Sequence, residues 1–296
     1  MAIILALAAC APTPDASDGE IVVDRAPCGF LESVAGQIDV SERVDGFHAE
    51  VYGVIEAKLQ DGPDLLFHEV AETSGACEYL ARSYGSCDPA CGTGEFCTAD
   101  SACLAYPSEV SGGTLSIHGL DHAIEITAED YAPGTYTGPA GLPGALFAAD
   151  QPIGAELSGG KAGPLTLGVV GVAALDETLV RSGLHLEDGV DAVVEWTPGT
   201  DPDACVSLVL NGSNATHGAP LDDIVRCEGP DTGTLTVPAD IIARYPYGET
   251  PEVTEGYDWP HSTLTRYVRS RAGNAYGDVE LLARSTVAFL VDHPEP

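Results

Sequence analysis

Lysine is almost missing from this chain: Lys58 and Lys161 are the only two in 296 residues. Lys and Arg together number 12 against 46 Asp and Glu, which gives a formal charge of −34. A surface of that sign repels phosphate backbones and anionic headgroups, so nucleic acid is excluded as a partner. It attracts cations and basic partners, and it suits salty surroundings where charges are screened over about 8 Å or less. Aromatics are scarce too, at 6% with two Trp, so few rings are available to stack on sugars. No run is long and apolar enough to span a bilayer, and no G-x-S-x-G nucleophile elbow occurs.

What is present points to strands and turns. The chain has 34 Gly and 21 Pro among many Val, Thr and Leu, and 44% of it is hydrophobic. At this length that supplies one large core or two ordinary ones.

The first residues, Met1-Ala-Ile-Ile-Leu-Ala-Leu-Ala-Ala-Cys10, resemble the end of a bacterial lipoprotein signal. Leu7-Ala8-Ala9-Cys10 matches the lipobox, and a Pro/Ser/Asp tether follows. The resemblance implies a lipid on Cys10 and an exported protein at the outer membrane, touching the membrane only through that anchor. The apolar stretch is shorter than a usual signal and has no Lys or Arg before it.

Setting Cys10 aside leaves Cys28, Cys77, Cys87, Cys91, Cys97, Cys103, Cys205 and Cys227, an even number as an oxidised chain requires. Four of them crowd the stretch from Cys87 to Cys103, which has almost no large apolar residue and needs covalent links for order. A zinc site competes for these four, but their spacing lacks paired C-x-x-C knuckles. Pairing Cys87 with Cys97 and Cys91 with Cys103 suits a compact knob. Cys28 with Cys77, and Cys205 with Cys227, then remain.

Strand periodicity recurs along the chain. Phe47, Ala49, Val51, Ile55, Ala57 and Leu59 alternate with polar residues, and after the turn at Gln60–Asp64 a second strand over 65–72 is expected to close a hairpin. Further strands are expected at 145–149, 153–157, 165–172, 192–196, 206–210, 224–227 and 234–237. In the last, long one, Val279, Leu281, Ala283, Val287, Phe289 and Val291 share a face. Helix is expected only after Pro238 and near 77–83. Tight turns imply antiparallel pairing. The expected fold is therefore mainly β: antiparallel β-sandwich modules with a small disulfide-rich knob.

The lipobox, Cys87-Asp-Pro-Ala-Cys91, Gly94-Glu-Phe-Cys97, Gly112-Gly-Thr-Leu-Ser-Ile-His-Gly-Leu120 and Val194-Glu-Trp-Thr-Pro-Gly199 together resemble cysteine-rich surface lipoproteins of the myxobacterial type. The Trp-Thr-Pro-Gly element is also similar to fibronectin type III and immunoglobulin-like modules. These resemblances imply a β-sandwich lipoprotein and carry no known chemistry.

Candidate chemistry is thin. His68-Glu69-Val-Ala-Glu72 lacks the second histidine of a metalloprotease and reads as strand. His118, Asp121 and His122 sit at a turn, where solvated polar residues are ordinary. Gly154–Lys161 misplaces the lysine of a phosphate loop, and Ala162 stands where a hydroxyl is needed. Asp201, Asp203, Asp222 and Asp223 offer oxygens to calcium without EF-hand spacing. Arg266, Arg269 and Arg271 offset neighbouring carboxylates. Tyr257, Trp259 and His261 form the expected ligand-facing loop.

The organisation expected is a signal end and tether over 1–20, a hairpin region with the knob at 77–103 over 21–106, and sandwich parts over 107–183 and 184–296. The expected role is a non-enzymatic surface lipoprotein without a cofactor, binding a protein or glycan. A secreted carbohydrate-active hydrolase, marked by a groove with two carboxylates, and a calcium-dependent binding module are the alternatives.

Overall fold

The computed structural model describes residues 21–30, 34–44, 51–62, 68–82, 86–98, 101–128, 130–176, 182–212, 223–249 and 262–295. The first strands are β1 (Gly36–Val44), β2 (Val51–Leu59), β3 (His68–Ser74), β4 (Cys77–Arg82), β5 (Glu95–Cys97), β6 (Cys103–Ala105), β7 (Thr114–His118) and β8 (Ile124–Thr127). Then come β9 (Thr135–Thr137), β10 (Leu142–Pro143), β11 (Pro152–Gly159), β12 (Gly163–Val170), β13 (Leu184–His185), β14 (Ala192–Glu195), β15 (Cys205–Asn211), β16 (Asp223–Pro230) and β17 (Thr234–Val237). A single-turn helix α1 (Ala239–Ile242), β18 (Gly248–Glu249), β19 (Ser262–Gly273), β20 (Asp278–Phe289) and β21 (Val291–His293) complete the chain order.

One large sheet organises the molecule, in the order β10, β2, β1, β20, β19, β15, β16, β4, β3, with β9 also paired to β2. Its inner face backs two apolar layers. The sheet β12, β11, β7, β8 packs over one part, closing a core that includes Ile38, Ile55, Leu115, Ile153, Val169 and Leu281. A second core, including Leu186, Val194, Leu208, Val225, Ile241 and Phe289, joins the other part to the sheets β14, β17 and β13, β21, β18 and to α1. Strands drawn from 21–106 and from 184–296 thus alternate in one sheet, and residues 107–183 supply the first covering layer. The knob is the hairpin of β5 and β6 with its two disulfides.

A row of polar side chains divides the two cores. Glu42 on β1 pairs in register with Ser285 on β20, and Ser285 with Arg266 on β19. All three are buried. On one side of the row lie Val40, Ala283 and Val268 of the first core, and on the other Val44, Val287 and Leu264 of the second. Here the covering layer is irregular backbone, whose amides and carbonyls need partners away from water. Glu42 Oε1 accepts from the Leu146 amide at 2.7 Å, and Ser285 Oγ from that of Leu175 at 3.0 Å. Arg266 donates to the Ala173, Ala174 and Thr197 carbonyls. Its Nε also meets Asp231 Oδ2 at 2.6 Å, and Asp231 accepts from the Trp196 indole.

Several sequence expectations are corrected. β2 and β3 do not form a hairpin: they lie far apart in the large sheet, and the end of β2 bonds instead to the chain near 108–110, with Asp61 and Ser108 exchanging hydrogen bonds and Val110 donating to Leu59. The stretch 77–82 is strand, not helix, because β3 and β16 pair with both its edges. Residues 145–148 form no strand, since Glu42 takes two of their amides. Pairing is mostly antiparallel, but β1 with β20 and β13 with β21 are parallel. Each of these two pairs joins strands far apart in sequence, which no tight turn constrains.

The disulfides are Cys28–Cys205, Cys77–Cys227, Cys87–Cys97 and Cys91–Cys103. The expected links Cys28–Cys77 and Cys205–Cys227 are therefore replaced. Cys77 and Cys227 stand opposite each other in the β4–β16 register, while Cys28 lies in the N-terminal segment that crosses to the start of β15. That segment bridges the two layers: the Asp24 amide donates to the Gly168 carbonyl on β12 and the Ala26 amide to the Arg269 carbonyl on β19. A Cβ at Gly168 would sit 2.2 Å from the Val22 carbonyl, so only glycine lets the segment approach there.

Candidate functional site

The outer face of the large sheet carries a polar cleft of about 340 Å³ over β1, β2 and β9. Strand alternation places it there. Ile38 and Val40 of β1 turn into the first core, so Gln37 and Asp39 turn out; Ile55, Ala57 and Leu59 of β2 do the same for Glu56 and Lys58. Opposite Glu56 and Lys58, β9 contributes Thr137 and Thr135. Between them Tyr136 points into the core, where its hydroxyl accepts from the Gly112 amide at 2.8 Å and donates to the Gly113 carbonyl. Gly134 lets the chain close on β2, since a Cβ there would lie 2.1 Å from the Leu59 carbonyl. Glu109 fixes the approach to β9, accepting from the Gly134 amide and the Thr135 hydroxyl.

Asp39 is the centre of the cleft. It is 8% exposed and sits directly opposite Glu56 in the β1–β2 register. Its Oδ2 accepts from Arg284 at 2.7 Å and from Gln37 at 3.0 Å, while Oδ1 has no hydrogen-bond partner. Burial raises the Asp39 carboxyl above its usual range, Arg284 and Gln37 pull it back, and Glu56 adds to the rise. Glu56 itself meets Arg43 at 3.2 Å. Two acids thus face two arginines and Lys58. A buried acceptor left without a donor costs about 1–3 kcal/mol.

The residues singled out from sequence lie elsewhere. Cys10, Asp222 and the loop of Tyr257, Trp259 and His261 fall outside the described residues. His118 Nε2 is 3.9 Å from Glu156, whereas Asp121 and His122 are exposed, and the three form no metal cluster. His68 and Glu69 lie on edge strand β3, and Gly154 to Gly159 belong to β11. Arg25 occupies Asp201 at 2.7 Å and reaches Asp203, and the Tyr79 hydroxyl donates to Asp223, so these calcium candidates already have partners. Among the described residues, the one group of three close metal-binding side chains is Cys87, Cys91 and Cys97, and disulfides occupy all of their sulfurs. The Trp196 ring is buried in the second core.

Sequence reading missed the Asp39 cleft because it missed β1. Gln37-Ile-Asp-Val-Ser-Glu-Arg-Val44 does alternate, but Glu42 occupies an inward position and breaks the apolar series. The visible signal was Ile38, Val40 and Val44 at even spacing.

No family model matches the chain, and no curated protein matches it significantly. Among solved structures it is similar to the crystal structure of chicken CNTN1 FN1–FN3 domains, at 11% identity and a TM-score of 0.17. The match spans 77% of this chain and 66% of that one, and so loose a superposition carries no argument.

Proposed function

We propose that the chain is an exported binding protein, held at the outer membrane by a lipid on Cys10, whose cleft takes an uncharged, hydroxyl-rich ligand of the glycan class without turning it over. The polar cleft itself carries this reading, with Gln37, Asp39, Glu56, Lys58, Thr135 and Thr137 lining one concave surface. The lining offers amides, hydroxyls and two acids against one lysine, a set suited to neutral polar groups more than to anions. Four disulfides fit an oxidising compartment outside the cytoplasm.

A glycan array followed by calorimetry tests the ligand class. Asp39→Asn is expected to weaken binding of the retained glycan at least tenfold with an unchanged circular dichroism spectrum. An array without hits, or equal binding by the variant, sinks the proposal. The intact mass of the native protein reads the anchor, since lipidation adds acyl chains at Cys10.

One observation favours a second reading, a glycoside hydrolase. Asp39 and Glu56 are cross-strand neighbours, and burial holds Asp39 toward its protonated form, as a general acid requires. Against this reading, an arginine engages each carboxylate. Release of reducing ends from the retained glycan, abolished in Glu56→Gln, would establish turnover.

A further inference from the structure

His293, on β21 at the edge of the second core, is 1% exposed, and its two ring nitrogens have opposite surroundings. Nδ1 lies 3.1 Å from the Tyr245 carbonyl and 3.3 Å from that of Pro246. Carbonyls only accept, so Nδ1 carries the hydrogen. Nε2 faces Asp188 Oδ1 at 3.5 Å and has no hydrogen-bond partner. In the neutral ring, Nε2 then presents a lone pair to a carboxylate oxygen that also only accepts. Two acceptors face to face are reconciled by a proton on Nε2 or by a metal ion between them.

The separation fits a metal ion. Bonds of about 2.0–2.2 Å to nitrogen and oxygen at a tetrahedral centre hold the two atoms roughly 3.4 Å apart. The outer contacts fit as well. The Tyr247 hydroxyl donates to Asp188 Oδ2, and the Tyr247 ring lies 4.6 Å from that of His293. A ligand imidazole whose other nitrogen is tied to a carbonyl, beside a hydrogen-bonded carboxylate, is the arrangement that orients metal ligands.

We propose that His293 Nε2 and Asp188 Oδ1 are two ligands of a site for a divalent transition metal of the zinc and copper class. Among the described residues no third His, Cys, Asp or Glu is grouped with them, so water completes the coordination. The imidazole disfavours calcium and magnesium, which take oxygen ligands. Asp188 is exposed and opens the site to solvent, and a formal charge of −34 concentrates cations around the chain. None of the residues lining the Asp39 cleft takes part.

Calorimetric titration of the full chain with Zn²⁺ and with Cu²⁺ near neutral pH tests the site, alongside melting curves of the parent, His293→Gln and Asp188→Asn. The expected result is one saturable site in the parent, at least tenfold weaker in both variants, with a metal-dependent rise of Tm in the parent alone. His293→Gln removes a core side chain and can fail to fold, so Asp188→Asn, at the surface, decides by itself. Metal affinity unchanged in Asp188→Asn, or no saturable site in the parent, overturns the proposal. A lower Tm in Asp188→Asn without any metal response in the parent also overturns it, because Asp188 then only pairs with a protonated His293.

Discussion

At the scale of single residues, the arginines carry the polar order of an acidic chain. The run Arg266, Arg269, Arg271 was legible as a set of counter-charges, and strand alternation decides where each points. Arg266 turns inward to Asp231, whereas Arg269 and Arg271 turn outward to Glu280, at 3.8 and 2.5 Å. Nearby, Arg269 also donates to the Pro27 carbonyl at 3.0 Å, and Glu228 accepts from the Gly29 amide. Burial pushes the Glu228 carboxyl up to about 7, although Arg269 and Arg226 draw it down. Its ordinary value is 4.5. The native protein therefore binds a proton at pH values where the unfolded chain has released it. Stability from this group is fully present below about 4.5 and is lost as pH rises through about 7. Glu228→Gln is expected to match the parent near pH 4 and to melt about 3–6 °C higher near pH 8. Melting curves across that interval check it, and parallel pH profiles for the two proteins would contradict it.

At the scale of elements, β19 and β20 run through both cores, and the row of Glu42, Ser285 and Arg266 is what permits the covering layer to change between them. Each member satisfies backbone that would otherwise be buried without partners. Arg266→Ala leaves Asp231 as an uncompensated buried acid and frees three carbonyls, so a loss of about 3–5 kcal/mol is expected in urea unfolding. A change under about 1 kcal/mol would show that the row is incidental. The same row explains what could be read at this scale. In β20 the apolar face was plain, with Ser285 only a gap in it. In β1 the inward acid Glu42 made a buried strand look polar, and the Asp39 cleft on its other face went unseen.

At the scale of the molecule, two disulfides tie distant parts together. Cys28–Cys205 and Cys77–Cys227 span 177 and 150 residues, while the knob's bridges span 10 and 12. In the chain-entropy relation a bridge closing about 150 residues contributes about 5 kcal/mol, and one closing about ten contributes about 2.5–3 kcal/mol. Replacing Cys77 and Cys227 with serine is thus expected to lower the urea midpoint well beyond the same change at Cys87 and Cys97. Equal losses from the two pairs would contradict it. The knob pairing could be read from sequence because a segment without a core has few ways to order itself. The long links could not, because spacing says nothing about which strands a sheet brings side by side.

Composition and period-two alternation determined by themselves that this chain is a mainly β, disulfide-rich protein with its long C-terminal strand inside, because those are local consequences of which residues favour a pleat and burial. The tertiary structure alone decided strand order, the parallel pairing of β1 with β20, the partners of Cys28 and Cys77, and the placing of Asp39 beside Glu56. These are contacts between residues far apart in sequence, and hydrogen bonding across a sheet edge depends on the shape of the folded chain and not on the spacing of its residues.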